Sequence, residues 1–161
     1  MCLMDEREYQ QRIRACTPAL YRTARAILSN EQDCADAVQE AVFQGWLKRG
    51  QLRDPERFPA WMNRITINEC RNLQRRSLKQ RRAVEASVEA LRQPTPRRVT
   101  ELEAAVSLLP DKYRLPVVLY YAQRYTTGEI ARMLDVPEGR LRERLRTARR
   151  MLGRMLKHEV D

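Results

Sequence analysis

Apolar residues recur along this chain at intervals of three and four, and almost nowhere at intervals of two. That spacing puts them on one side of successive α-helices and predicts an all-α fold. Residues 5–29 read as one or two helices with Ile13, Leu20, Tyr21, Ala24 and Leu28 on one side, and Pro18 marks an expected break or kink. The run SNEQD is a turn. Asp33 is expected to cap a helix that reaches about Arg49 and closes at Gly50. A loop with two prolines, LRDPERFP, then leads into a helix or broken helix over residues 59–76.

The helical signal weakens from Ser77 to Val99. The stretch KQRRAVEASVEALRQ fits a short helix, and PTPRR an extended, proline-restricted one. The pattern therefore predicts two small helical domains, 1–76 and 100–161, joined by a flexible linker over 77–99. Four helices are expected in the second domain, near 101–109, 111–124, 127–134 and 137–157, with Pro116 kinking the second or shifting its start. Domains this small are marginally stable alone, so docking on a larger partner would suit both.

The last part of the chain, TTGEIARMLDVPEGRLRERLRTARRML, is laid out as a helix-turn-helix. Thr126 or Thr127 caps the first helix, and Ile130, Ala131 and Leu134 form its buried side. Asp135 suits a left-handed backbone at the turn, and Pro137 suits the start of the next helix. In that second helix Leu141, Leu145, Ala148, Leu152 and Met155 form one apolar stripe. Residues 140–157 also hold seven arginines and one lysine against a single acid, Glu143. Arg142, Arg146, Arg149 and Arg150 fall opposite or beside the stripe, where they suit phosphates and guanine edges in a major groove. A solvated basic helix is the alternative.

Two earlier helices carry residues that a core alone does not need. In DCADAVQEAVFQGWLK the set Cys34, Val38, Ala41, Val42 and Gly45 faces inward, while Asp36, Gln39, Glu40 and Phe43 share the other side. A phenylalanine among acids and amides marks a protein-docking surface, unless a neighbouring loop covers it. In PAWMNRITINECRNLQRR, Arg64, Asn68, Arg71, Asn72 and Arg75 fall within about a third of the helix circumference, with Trp61 on the same side. Met62, Ile65, Thr66 and Leu73 fall toward the other side. Arginine contacts phosphate, asparagine pairs with a base edge, and an aromatic ring can stack on an unpaired base. That combination fits melted DNA better than intact duplex, although Trp61 fits a core position equally well.

Charge supports a polyanionic partner: 31 basic residues stand against 21 acidic ones, for a formal charge of +10. The four cysteines (Cys2, Cys16, Cys34, Cys70) are scattered and His158 is the single histidine, so neither a metal site nor a cofactor is expected. The N-terminus lacks the basic and apolar regions of a signal peptide, and no apolar run approaches membrane-spanning length. A protein of the reducing cytoplasm is expected, with no membrane insertion.

These segments, in this order, resemble the extracytoplasmic-function (ECF, group 4) class of bacterial RNA polymerase sigma factors. DAVQEAVFQGW is similar to the family's helix for the clamp helices of the largest polymerase subunit. FPAWMNRITINECRN is similar to the segment that opens and reads the −10 promoter element, and LPDKYRLPVVLYYAQRYTTGEIARMLDVPEGRLRERLRTARRML to the domain that reads the −35 element. The resemblance implies that Asp36, Gln39 and Glu40, with Phe43, dock on core polymerase. It implies that Asn68 captures a flipped −10 base beside Trp61, and that Arg142, Arg144 and Arg149 serve the −35 element; Arg140 and Arg146, basic positions of the same helix, are expected to join them. It also implies a contact with the flap of the second-largest subunit, and often an anti-sigma factor. The chain departs from the family at Val42–Phe43, where the phenylalanine comes one residue late, and at Arg140 and Glu143, where hydroxyl residues are usual; the latter pair bears on −35 preference.

Two other classes remain to be weighed. A stand-alone helix-turn-helix regulator with a sensing or dimerising N-terminal domain would bind duplex without polymerase. A nucleic-acid-processing enzyme needs clustered carboxylates or a nucleophile–base pair. Asp33, Asp36 and Glu40 are the nearest acidic cluster, and no other segment offers them a partner.

Overall fold

The computed structural model describes residues 3–83 and 100–157, and among them every regular element is helical. They form two compact units.

The first unit is three helices: α1 (Glu6–Ile27), α2 (Glu31–Leu47) and α3 (Phe58–Ala83). Asp5 caps α1 by accepting from the Glu8 amide at 2.8 Å. Pro18 does not break α1, which runs through it without interruption. The carbonyl that loses its amide partner is that of Arg14, an exposed residue, so water can take the bond. One residue earlier the Thr17 hydroxyl donates to the Ile13 carbonyl at 2.6 Å.

The cap of α2 lies three residues before the expected one. Asn30 caps it, its side chain accepting from the amides of Gln32 and Asp33 at 2.7 and 3.3 Å. Asp33 instead lies in the first turn, where a negative charge favours the helix dipole. The helix ends at Leu47, before Gly50, and passes into a 3-10 turn over Arg49–Gln51. Gly50 has no left-handed backbone there, so it is not the expected glycine cap. A second such turn, Pro55–Arg57, leads into α3.

α3 is one unbroken helix, and it continues past Arg76, where the first domain was expected to end, to Ala83. The cause is local: Leu78, Lys79, Gln80, Arg81, Arg82 and Ala83 are all strong helix formers, with no glycine or proline among them. The remainder of the expected linker, residues 84–99, lies outside the described residues.

The core of this unit is built from Tyr9, Leu20, Ala24, Val38, Ala41, Phe58, Met62 and their neighbours. Tyr9 packs edge-on to Phe58, with ring centroids 5.7 Å apart at 83°. α2 comes close to α3 at Gly45, where a Cβ would sit 2.6 Å from both the Met62 sulfur and the Tyr9 hydroxyl. A side chain there would force the buried Met62 and Tyr9 side chains to shift.

The second unit contains α4 (Glu101–Ser107), α5 (Asp111–Val117), α6 (Thr127–Leu134) and α7 (Glu138–Lys157). Thr100 and Glu103 form a reciprocal capping box on α4, and Thr126 and Glu129 form another on α6. Pro116 leaves the start of α5 at Asp111 unchanged; beyond it the helix relaxes into a π-helical turn, Val118–Ala122. The Gln123 amide bonds back to the Val118 carbonyl at 3.2 Å, and Arg124 adopts φ 60° to close the segment. Leu109, Leu119, Ile130, Leu141 and Leu145 are fully buried in this unit.

Candidate nucleic-acid and protein interfaces

Asp36, Gln39, Glu40 and Phe43 are all exposed on α2, with Phe43 54% accessible and uncovered by any loop among the described residues. Neutral amides one turn away hold the two carboxylates: Gln32 Nε2 donates to Asp36 at 3.1 Å, and Gln44 Nε2 to Glu40 at 2.9 Å. The negative charge of the face is therefore retained. Leu47, 59% exposed and one turn beyond Phe43, extends the same surface. Sequence reasoning missed Leu47, although its four-residue spacing from Phe43 was the available signal.

On α3 the inward side is wide. Phe58, Met62, Asn63, Ile65, Thr66, Ile67 and Cys70 are buried, covering more than half of the circumference. Asn63 is wholly buried and accepts a hydrogen bond from the Thr23 hydroxyl at 2.6 Å, joining α3 to α1. The remaining face presents Arg64, Asn68, Arg71 and Arg75, all exposed. Trp61 is only partly exposed; its ring lies 6.0 Å from that of Phe58, so it packs against the core at the edge of this face.

Asn72 is set apart from Asn68. It is half-buried, and its side-chain oxygen accepts from Arg75 Nη2 at 2.6 Å. It lines a cleft of about 320 Å³ between α2 and α3, with Asp36, Glu40, Glu69 and Arg76. The cleft thus sets Asp36 and Glu40 of α2 against Glu69, Asn72 and Arg76 of α3, beside and not within the face that carries Asn68.

In the second unit Asp135 ends α6 with φ 54° and ψ 52°, the left-handed turn its short side chain allows. The Val136 amide returns to the Ala131 carbonyl at 3.0 Å, and the Pro137 carbonyl accepts from the Leu141 amide at 3.1 Å, which starts α7. Leu141, Leu145, Ala148 and Leu152 form its buried stripe.

The five arginines expected to serve the −35 element do not share one face. Arg142, Arg146 and Arg149 lie on one side of α7, while Arg140 and Arg144 fall about 160° from Arg142 on the opposite flank, Arg144 half-buried. Two of the five are held by neighbours. Arg142 Nη2 donates to Glu138 at 2.9 Å, and Arg149 Nε donates to the Tyr121 hydroxyl at 2.6 Å. The Arg149 guanidinium also lies 5.9 Å from the ring centres of both Tyr120 and Tyr121. Tyr121, half exposed on the π-helical turn, is a residue the apolar pattern assigned to a plain helix.

Among the described residues no group of three or more His, Cys, Asp or Glu could hold a metal ion, and no helix is long and apolar enough to cross a membrane. Cys16, Cys34 and Cys70 are free and buried; burial pushes the first two thiols up to about 11 and Cys70 to about 12. They are protonated and inert at neutral pH.

Residues 12–82 match the family described as Sigma-70 region 2, and residues 100–152 match Sigma-70, region 4. The ECF RNA polymerase sigma factor SigM of Mycobacterium tuberculosis is 30% identical over 158 residues, covering 94% of this chain and 79% of its own length. SigE of Mycolicibacterium smegmatis is 28% identical, covering 95% of this chain and 63% of its own length. The fold is similar to that of the sigma factor RpoE in its complex with the anti-sigma factor NepR from Bartonella quintana. That match has a TM-score of 0.79 at 21% identity, over 93% of this chain and 97% of the other.

Proposed function

The chain belongs to the extracytoplasmic-function family of RNA polymerase sigma factors, and from that premise we propose how its surfaces share the work. As a sigma factor it binds RNA polymerase and promoter DNA and directs transcription initiation. On our reading the α2 face (Asp36, Gln39, Glu40, Phe43, Leu47) docks on the clamp helices of the largest polymerase subunit. The α3 face holds the melted −10 strand, with Asn68 reading a flipped base, Arg64, Arg71 and Arg75 on phosphates, and Trp61 and Asn72 bordering the pocket. α7 enters the major groove of the −35 element with Arg142 and Arg146 foremost. Arg149 is oriented by Tyr121, and Arg140 and Arg144 reach the backbone on the other flank. The second unit also meets the flap of the second-largest subunit.

This work needs no chemistry, cofactor or metal from the protein, and it takes place in the cytoplasm. Flipping a base out of the stack costs on the order of a few kcal/mol, which the α3 face must offset. Two weak contacts on one chain reinforce each other, because the first raises the effective concentration of the second. The RpoE–NepR complex supports an anti-sigma factor as a further partner. A stand-alone regulator is disfavoured, since it would have no use for a region 2 match that covers most of the first unit.

The observation that carries the docking assignment is Phe43, a large apolar side chain left 54% exposed among acids. Phe43→Ala is expected to weaken binding to core polymerase by about 2 kcal/mol or more, measured by fluorescence titration, as for other central aromatic anchors. Unchanged core affinity would remove α2 from the docking surface.

A further inference from the structure

We propose that Glu138 is a positioning residue for upstream-element reading: its carboxylate ties the Arg142 guanidinium to the first helix of the helix-turn-helix. One oxygen, Glu138 Oε1, accepts from Thr127 Oγ1 at 2.8 Å and from Arg142 Nη2 at 2.9 Å. Thr127 opens α6, and Glu138 opens α7 one turn before Arg142. A single carboxylate therefore joins both helices to an outward-facing arginine. The inference rests on the reading above that Arg142 enters the major groove, and it takes the contact there to be with a base edge.

Stability does not account for this arrangement. The Arg142 and Glu138 side chains are 63% and 44% exposed, and ion pairs that open add little. A negative charge on a phosphate-facing surface also works against DNA affinity. What the contact supplies is orientation. A free arginine is long and flexible and reaches phosphates and bases alike. Held through one Nη2 hydrogen, Arg142 keeps its other N–H groups and can present a fork to guanine O6 and N7. Swinging away to a phosphate would break the bond to Glu138. The contact thus favours discrimination at one base pair over general grip.

The test uses polymerase holoenzyme assembled with the full chain, selecting from promoter fragments whose upstream element is randomised; the occupancy of each base is read by sequencing. Arg142→Ala identifies the base pair it reads. Glu138→Ala is expected to lower discrimination at that same base pair by about fivefold to tenfold, part of the effect of a whole bidentate contact, while occupancy of non-matching DNA rises. Glu138→Gln still offers an oxygen to both partners and is expected to keep the preference. Thr127→Val, which frees the carboxylate from α6, gives a smaller loss at the same base pair. Thermal melting of each variant is followed in parallel, because a purely structural role would lower melting and reduce occupancy at every base equally. That uniform loss, or a wild-type preference in Glu138→Ala, overturns the proposal. If Arg142→Ala itself changes no base preference, the assignment of Arg142 fails, an outcome distinct from failure of Glu138 alone.

Discussion

α3 and α7 both turn arginines outward, yet they bury opposite shares of themselves. α3 is clasped by α1 and α2, so more than half of its circumference is core and its polar face is narrow. α7 buries only the stripe Leu141, Leu145, Ala148 and Leu152, and its arginines spread over both flanks. The difference fits the two ligands proposed for these helices. A narrow face fixed by packing and by the Thr23–Asn63 bond suits one unstacked strand and a single base at Asn68. A broad basic surface suits a duplex, where phosphates lie on both sides of a groove.

The comparison breaks most severely if the clasp on α3 is opened. Gly45→Ala forces a methyl group against Met62 and Tyr9, and is expected to cost the first unit about 1–3 kcal/mol. Hydrogen exchange at α1–α3 amides would show it, with α7 amides as the internal reference. A smaller effect sharpens the α7 side. Arg146→Ala and Arg150→Ala, both at exposed positions, should each lower the salt dependence of promoter binding by about one unit of slope, with base preference unchanged. Arg64→Ala, on the narrow face of α3, should alter promoter opening more than that slope. The smallest effect is expected at the cysteines: Cys34 and Cys70, buried and with raised thiol pKa values, should resist alkylation at neutral pH until the first unit unfolds.

The helical class, the helix-turn-helix and its left-handed Asp135 could be read from periodicity and short-range residue chemistry, because both act within a turn or two. The inner and outer faces of α2 were equally plain. The unbroken course of α1 through Pro18 was not, since proline marks a lost bond but not whether water replaces it. The pairing of Asn72 with Arg75 and the Glu138–Thr127 bond depend on rotamers or on contacts between helices. A one-dimensional pattern holds none of that information. Trp61 shows the limit well: spacing left it equally open to the outer face and to the core, and the ring of Phe58 draws it partly into the core.

The central claim is that α3 reads one promoter element as a melted strand and α7 reads the other as duplex. It is tested most directly by placing Asn68→Ala and Arg142→Ala separately in reconstituted holoenzyme, and selecting on promoters randomised at both elements. The account predicts that Asn68→Ala relaxes preference at one downstream position, with core binding intact. It predicts that Arg142→Ala costs about 1–3 kcal/mol at one upstream position and leaves the downstream element unchanged. Both variants shifting the same element, or Asn68→Ala abolishing core binding instead, would contradict it.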